Sequence, residues 1–178
     1  MQIKIILFLN LLILRIYAYG NYDLRNDYYS YETKTYCLDG TKLMCLVLAN
    51  DIGGVEKYLA QIKEELGYGD LNARDKDGNT ALMLAVKNLK DDIGALLINA
   101  HAAIDIKDRF GNHLIDEIVR SGCVRTFEAM CNNITINKKY IPHLLKIADD
   151  SIRIHELLGD FEDDIKGIRF ISSRLSKN

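Results

Sequence analysis

The sequence predicts an all-α fold, a solenoid of stacked antiparallel helix pairs with a helical cap at its C-terminal end. The main observation is a repeat: Asp75-Lys76-Asp77-Gly78-Asn79 returns as Asp108-Arg109-Phe110-Gly111-Asn112, 33 residues further along the chain. Apolar segments of helical length follow the copies. A turn motif with two short helices, recurring at a period of roughly 20–50 residues, indicates a solenoid, because each pair buries its apolar side only against its neighbours.

The repeated residues resemble ankyrin repeats. The pattern of that family runs Asp-x-x-Gly-x-Thr-Pro-Leu-His-Leu-Ala-Ala, followed by a loop, a second helix ending in paired Leu, and a turn into the next unit. Asp75 to Leu82 match the first part, Asp92 to Ile98 correspond to the second helix, and Ala102 to Lys107 correspond to the turn. The resemblance covers residues 41–135 well and residues 137–158 poorly. It implies a non-catalytic scaffold that recognises other proteins.

Three units follow from this resemblance, at residues 41–69, 70–102 and 103–135. Thr41 and Thr80 are 39 residues apart, which is six more than the period. We therefore place the additional residues between Ala60 and Gly69, as an extra helical turn and a longer loop. Residues 136–178 are expected to form a degenerate repeat and a capping helix.

The C-terminal part carries its own helical signals. Pro142 suits the first turn of a helix, so we expect a shortened helix pair at residues 142–148 and 151–158. Phe161, Ile165, Ile168 and Leu175 recur at helical spacing and predict an amphipathic closing helix over residues 161–175. Its charged side chains suit the water-facing side of a terminal unit.

Several residues depart from the family pattern. Thr80 keeps the helix-capping hydroxyl, but Met83 stands where the family has His, which predicts that the family's polar link between units is absent. His113 replaces the capping Thr of the next unit. His101 stands where Gly is usual, so we expect it in a left-handed conformation at some cost in strain.

Glu117 falls on a position that is normally a buried Leu. Because an unpaired buried carboxylate is costly, we expect either a rotated helix or an ion pair with Arg120 or Arg153. Asp116 and Glu117 are adjacent carboxylates, but neighbours on a helix point about 100° apart, so they do not grip one substrate atom together.

The N-terminal segment predicts a cleaved secretory signal over residues 1–20. Lys4 precedes the apolar run Ile5 to Leu14, and Ala18 and Gly20 stand where a signal peptidase reads small residues. The expected location is secreted or periplasmic. Two alternatives stay open: a buried first helix of the domain, and a membrane anchor formed by residues 5–14. Residues 21–40 are a Tyr-rich lead-in, either loosely ordered or laid against the first unit.

The four cysteines are compatible with export. Cys123 and Cys131 are eight residues apart on one expected helix, roughly 12 Å and too far for a bridge. Cys37 could fold back on Cys45, a pairing that the sequence leaves open. Without a disulfide, Cys45 and Cys131 are expected to be small core residues.

Composition limits the class of function. The net charge of -2 argues against the basic excess typical of nucleic-acid binding. No phosphate loop, nucleophile elbow or zinc spacing is present, so we expect no catalytic residues, cofactor, metal or small-molecule substrate. The expected partner is an unidentified protein, bound by a monomer.

Candidate binding residues come from the turn tips and the ends of the first helices, which the ankyrin resemblance places on one open side. Phe110 is the strongest candidate, because an exposed aromatic side chain at a tip is a plausible anchor; alternatively, it packs on the neighbouring tip. The full set is Arg74, Lys76, Asp77, Asn79, Lys87, Asn88, Lys107, Arg109, Phe110, Asn112, Arg120 and Ser121.

Two alternatives to an exported adaptor or effector stay open. One is a permanent stabilising subunit of a larger envelope protein, which would show a large apolar binding face. The other is an enzyme that uses the C-terminal part, with His143, His155 and nearby acids.

Overall fold

The computed structural model describes residues 41–65, 71–158 and 162–177. The predictions for the signal segment, for the Tyr-rich residues 21–40 and for Cys37 lie outside these residues. The described part is all-helical, which confirms the all-α class. Its helices are α1 (Lys42–Leu48), α2 (Ile52–Glu65), α3 (Ala81–Lys87), α4 (Asp91–Asn99), α5 (Leu114–Ser121), α6 (Val124–Asn133), α7 (Ile141–Leu158) and α8 (Glu162–Leu175).

The helices form four sequential pairs in two layers. Each odd-numbered helix contacts the helix that follows it, so α1 packs on α2, α3 on α4, α5 on α6 and α7 on α8. Within the first layer α3 contacts α1 and α5, and α5 also contacts α7. Within the second layer α4 contacts α2 and α6, and α6 contacts α8. Every pair therefore packs on the next pair through both of its helices.

Packing supplies most of the stability of these helices. Helices α1 and α3 have 7 residues each, whereas isolated helices shorter than about 12–15 residues are marginal in water. Their apolar sides form a core that is continuous between the layers. Its largest fully buried side chains include Leu43, Leu82, Ile93, Leu97, Leu114, Ile118, Phe127, Met130 and Leu144.

Threonine hydroxyls begin the first helices of the first two pairs. Thr41 Oγ1 accepts a hydrogen bond from Met44 N at 3.3 Å, and Thr80 Oγ1 accepts one from Met83 N at 3.3 Å. The predicted cap at Thr80 is thus confirmed. His113 precedes α5 in the same extended conformation but makes no side-chain cap. The sequence pattern therefore marks all three helix starts, although only two of them carry a capping hydroxyl.

The turn inside each of the first three pairs contains one residue with positive φ. These residues are Asn50 (φ 54°), Leu89 (φ 55°) and Gly122 (φ 69°). They are 39 and 33 residues apart, the same two intervals that separate Thr41, Thr80 and His113. The first three pairs therefore share one backbone design. His101, which follows α4, has φ 65° and confirms the expected left-handed conformation.

The longer first unit is explained partly by its second helix. Helix α2 has 14 residues against 9 in α4, which confirms the additional helical turn. The expected longer loop falls at residues 66–70, outside the described part.

The prediction of two short helices at residues 142–148 and 151–158 is wrong. Helix α7 runs without interruption from Ile141 to Leu158, with Pro142 in its first turn. Neither Gly nor Pro separates the two segments, and Leu144, Ala148, Ser151 and His155 continue one buried helical stripe. The fourth pair therefore consists of α7 and α8, and the predicted closing helix is the second member of that pair. Among the described helices, none combines the length and the apolarity needed to cross a membrane.

Candidate functional site

Two loops lead into α3 and α5 and have the same construction. We call residues 74–80 the first turn and residues 107–113 the second turn. In the first turn, Asp75 Oδ1 accepts hydrogen bonds from Asp77 N at 2.9 Å and Asn79 N at 2.8 Å. In the second turn, Asp108 Oδ1 accepts them from Phe110 N at 2.9 Å and Asn112 N at 3.0 Å.

The backbone of the two turns is equally matched. Asp75 N donates to Asn79 O at 2.9 Å, and Asp108 N donates to Asn112 O at 3.1 Å. Gly78 and Gly111 have φ values of 78° and 85°, a region that glycine adopts without steric cost. The aspartate and glycine positions of the 33-residue repeat thus have one structural role in both copies: the carboxylate closes the turn and glycine permits it.

The two turns are linked through Lys87, near the end of α3. Its Nζ donates to Asn79 Oδ1 at 2.8 Å in the first turn and lies 3.2 Å from Asp108 Oδ2 in the second. The Asp108 side chain is 2% exposed. Burial by itself raises the pKa of Asp108, but hydrogen bonds from Asn112 and Lys87 and the charge of Lys87 outweigh it and lower this pKa below its ordinary value.

Arg74 makes a second link between the turns. Its guanidinium donates to Gly78 O at 2.8 Å in its own turn and to Lys107 O at 2.7 Å in the next. Just before the two turns, Asn72 makes a further contact between the units, because its Oδ1 accepts a hydrogen bond from Ala103 N at 2.8 Å. Met83 cannot make the family's His link, but Lys87, Arg74 and Asn72 supply other polar links between the units.

The second layer of helices is linked by side chains that the sequence analysis missed. Asp91 Oδ1 accepts hydrogen bonds from Thr126 N at 2.8 Å and Thr126 Oγ1 at 2.7 Å, which joins the start of α4 to the start of α6. Arg125 forms an ion pair with Asp92 beside it. Asp92 and Arg125 are 33 residues apart, and Asp91 and Thr126 are 35 apart, so both contacts could have been sought by aligning the helix starts.

Arg109 and Phe110 form the outer part of the second turn. Arg109 forms an ion pair with Asp77 of the first turn at 2.6 Å. Its guanidinium carbon lies 4.7 Å from the centroid of the Phe110 ring, within the range of a cation–π contact. Phe110 is 59% exposed. Arg109 therefore contacts both the neighbouring turn and the Phe110 ring, which keeps most of its surface in contact with solvent.

Six of the predicted binding residues are more exposed than the rest. These exposed side chains belong to Arg74, Lys76, Lys107, Arg109, Phe110 and Asn112. Asp77 is partly exposed and joins them through its ion pair with Arg109. We call these seven residues the tip surface.

Lys87, Asn88 and Arg120 are partly buried at the ends of the first helices. Asn88 Nδ2 donates to Leu84 O at 2.7 Å, within its own helix. Arg120 lies 2.5 Å from Glu117 Oε2, which confirms the expected partner for that carboxylate. These residues have structural contacts and a smaller accessible area than the tip surface.

Two predicted binding residues do not lie on an accessible surface. Asn79 is 8% exposed, because its side chain is enclosed by Asp75 and Lys87. Ser121 is 6% exposed, and its hydroxyl donates to Ile118 O at 3.3 Å at the end of α5. Both are corrected from contact residues to structural ones.

The histidines of the C-terminal part are not brought together. His143 Nε2 lies 3.3 Å from Asp116 Oδ2, and Tyr140 donates its hydroxyl to Asp116 Oδ1 at 2.7 Å. His155 is buried further along α7, with Nδ1 2.7 Å from Ser151 O. Twelve residues of one helix separate His143 from His155 by roughly 18 Å. They therefore do not act on one substrate atom.

The Asp116–Tyr140–His143 cluster connects α5 to α7. Burial, together with the hydrogen bond to Asp116 and the charge of its carboxylate, raises the pKa of Tyr140 well above its ordinary value. Tyr140 thus stays protonated and donates to Asp116. Sequence analysis missed this cluster because the residues lie 24 and 27 positions apart, outside the repeat period.

A shallow cleft, open to solvent, lies between α3, the second turn and α5, with Lys87, Asp108 and Glu117 in its lining. Within the described ranges, no group of three or more His, Cys, Asp or Glu side chains is placed to hold a metal ion.

The cysteines have different states. Cys45, on α1, is disulfide-bonded. Cys123 and Cys131 are free, in agreement with the predicted separation. Cys131 is partly buried against the core, and Cys123 is 3% exposed. Burial raises the pKa of Cys123 to about 12, with the carboxylates of Asp91, Glu117 and Asp164 adding to the effect. Cys123 is therefore an unreactive thiol.

Comparisons with protein-family models, with curated proteins and with solved structures found no significant match.

Proposed function

We propose that the described helices form a short, divergent ankyrin-type solenoid and that the chain is a non-catalytic protein-interaction module. The matched turns support the fold, since Asp75 and Asp108 make equivalent hydrogen bonds one period apart. The stacking of each helix pair on the next gives the same support. In such an arrangement turn tips and first helices line up on one side, where side chains outside the core are available to a partner.

One observation carries the functional part of the proposal. Phe110 is 59% exposed, yet it is positioned by Arg109, which is itself paired to Asp77 of the neighbouring turn. A pre-positioned aromatic side chain loses little conformational entropy on binding. Aromatic and Arg side chains are also the types that contribute most to protein interfaces. The tip surface therefore has the composition of a contact site.

The composition of the tip surface favours a transient adaptor over a permanent subunit. A permanent interface is large and hydrophobic, resembling a domain core. The tip surface instead has four cations, Asp77 and Asn112 around one aromatic side chain. This mixed character is typical of interfaces that form and dissociate.

Export through a cleaved signal over residues 1–20 is part of the proposal. The sequence pattern supports it, because Lys4 and an apolar run precede small residues at Ala18 and Gly20. Mass spectrometry of the mature N-terminus from the native source tests this part: a chain that begins near residue 21 is expected. A chain that retains Met1 or Gln2 would contradict cleavage without affecting the binding proposal.

The binding proposal is tested by affinity capture from the native source with the full exported chain. Phe110→Ala and Arg109→Ala should each reduce captured partner by about tenfold, the effect of losing an interface anchor worth about 1.4 kcal/mol. Phe170→Ala is the matched control, since Phe170 is 40% exposed on α8. Arg153→Ala, at an exposed position of α7, is the corresponding control for charge.

Two outcomes would contradict the proposal. Capture unchanged by Phe110→Ala and Arg109→Ala would remove the tip surface from the binding site. A hydrolytic or transfer activity that is lost on mutation of His143 would instead favour an enzyme built on the α5–α7 contact.

A further inference from the structure

The charges of the two turns are segregated by depth. The carboxylate of Asp108 is buried, and that of Asp75 is partly buried; both accept backbone hydrogen bonds inside their turns. The cationic side chains at the same turns are exposed instead. They are Arg74, Lys76, Lys107 and Arg109. The surface that a partner meets is therefore more positive than the sequence of the turns suggests.

Two accessible carboxylates lie near the turns in the part of the chain that the structure describes. Asp77 has a 43% exposed side chain and is paired with Arg109. Asp105, the other carboxylate near the second turn, is exposed. Among the described residues, the two turns thus have four exposed cations and two accessible carboxylates near them. Because the whole chain has a net charge of -2, this positive region is a local feature.

The cations occupy equivalent positions in the two turns. Arg74 corresponds to Lys107, and Lys76 corresponds to Arg109, each pair one period apart. Helices that stack in contact are about 8–10 Å apart, so the corresponding cations follow at about that spacing. An extended peptide advances about 3.3 Å per residue. Side chains two or four residues apart face the same side of such a peptide, at about 7 or 13 Å, so carboxylates at these positions lie within reach of the long cationic side chains of the two turns.

Phe110 adds an apolar contact beside the cations. Its ring is 59% exposed, and Arg109 lies over it. An acidic segment with one apolar side chain between its carboxylates would pair with the cations and cover part of this ring.

We infer that the tip surface binds an extended acidic segment of a partner protein, with an apolar side chain of that segment placed against Phe110. This inference rests on the proposed function and specifies the chemistry of the partner. Electrostatic complementarity of this kind raises association rates and weakens with salt, so the binding should be strongly salt-dependent.

The experiment titrates the full exported chain into a labelled peptide and measures the fluorescence anisotropy of the label. The peptide has about ten residues, with Asp and Glu around one central Leu. One comparator peptide has Asn and Gln in place of the acids, and another has Ser in place of Leu. Vesicles of phosphatidylserine and phosphatidylcholine provide an anionic surface that is not a protein.

The acidic peptide is expected to bind, and its Kd should rise with salt. Lys76→Glu combined with Lys107→Glu should weaken binding by about tenfold or more. The control is Lys57→Glu combined with Lys146→Glu, which changes the net charge by the same amount at exposed positions away from the turns. This control should change Kd by less than about twofold. Phe110→Ala should weaken the Leu peptide more than the Ser peptide. Circular dichroism and thermal melting establish that each variant is folded.

Equal binding of the neutral peptide, absence of binding at about 1 mM protein, or preferential binding to the vesicles would overturn the inference. The inference would also be overturned if the double variant at Lys76 and Lys107 and the double variant at Lys57 and Lys146 lost peptide binding equally. If the neutral peptide binds equally while Phe110→Ala still abolishes capture of the native partner, only the acidic chemistry fails. If capture of the native partner is unaffected by every tip variant, the proposed function itself fails.

Discussion

Lys87 Nζ lies 3.2 Å from Asp108 Oδ2, so a cation at the end of the first helix of one pair neutralises the buried carboxylate that closes the turn before the next pair. Lys87→Met should lower the free energy of unfolding by about 1–3 kcal/mol, because the carboxylate then loses its charged donor. Chemical denaturation is the measurement. Lys57→Met, at an exposed position of α2, should change stability by less than about 0.5 kcal/mol. Equal effects of the two substitutions would show that the link contributes nothing.

Asp108 should also make the protein sensitive to acid. Its pKa is lowered in the folded state, so the unfolded chain binds a proton first as pH falls. Its contribution is complete above the ordinary pKa of 3.8 and is lost as pH decreases through the lower, folded value. Asp108→Asn should flatten the decline of unfolding free energy below about pH 4. If the unfolding free energy of Asp108→Asn declines as steeply as that of the wild type, other carboxylates cause the acid unfolding.

Gly94 packs against Thr126 where α4 contacts α6. A Cβ added at Gly94 would lie 2.3 Å from Thr126 Oγ1, and Thr126 is fully buried and hydrogen-bonded to Asp91. Gly94→Ala should therefore destabilise the protein by about 1–3 kcal/mol, measured by denaturant unfolding. Gly53→Ala is the control, because its nearest neighbour would be Asp51 Oδ1 at 4.0 Å. It should stabilise α2 by about 0.5–1 kcal/mol. A neutral Gly94→Ala would mean that the two helices separate at little cost.

Local features of the fold could be predicted from the sequence, whereas contacts between units could not. The turn at Gly78 and Gly111, the cap at Thr80, the left-handed His101 and the Glu117–Arg120 pair each depend on residues close in sequence or on the repeat itself. The links made by Lys87 and Arg74 depend on how two units dock, which a motif does not encode. The predicted break in α7 at residues 149–150 is wrong because it followed a weak similarity to the family. The helical spacing of the apolar residues would have predicted one continuous helix.

The accessibility of the predicted binding residues could be anticipated only in part. Phe110 and the basic tip residues are exposed, as their positions in the repeat led us to expect. Asn79 and Ser121 were placed on the same surface, but both are buried by neighbours that lie 8 residues or fewer away in sequence. Exposure depends on which rotamer completes a local network, so it requires coordinates.

His101 and Gly111 test the cost of left-handed backbone from opposite directions. His101 has φ 65° and is exposed. His101→Gly should raise the free energy of unfolding by about 0.5–1 kcal/mol. This value is the steric strain that glycine relieves minus the entropy that glycine adds to the unfolded chain. Gly111 has φ 85°, and a Cβ there would meet no atom within 4 Å. Gly111→Ala should thus cost about 1–2 kcal/mol through backbone strain alone. Thermal and denaturant unfolding measure both, and a destabilising His101→Gly would indicate a contact made by the His101 ring.

Cys123 should make the protein lose stability in alkali. Burial raises the pKa of its thiol from 9.0 to about 12, so the unfolded chain releases the proton first as pH rises. The contribution of the neutral thiol is complete below the unfolded pKa and decreases above it, by about 1.4 kcal/mol between about pH 8 and pH 10. Denaturant unfolding across this range should show the decline, and Cys123→Ala should remove most of it. Cys131→Ala should remove less, because Cys131 is only partly buried. If the unfolding free energy of Cys123→Ala declines as much as that of the wild type over this pH range, the folded protein tolerates the Cys123 thiolate.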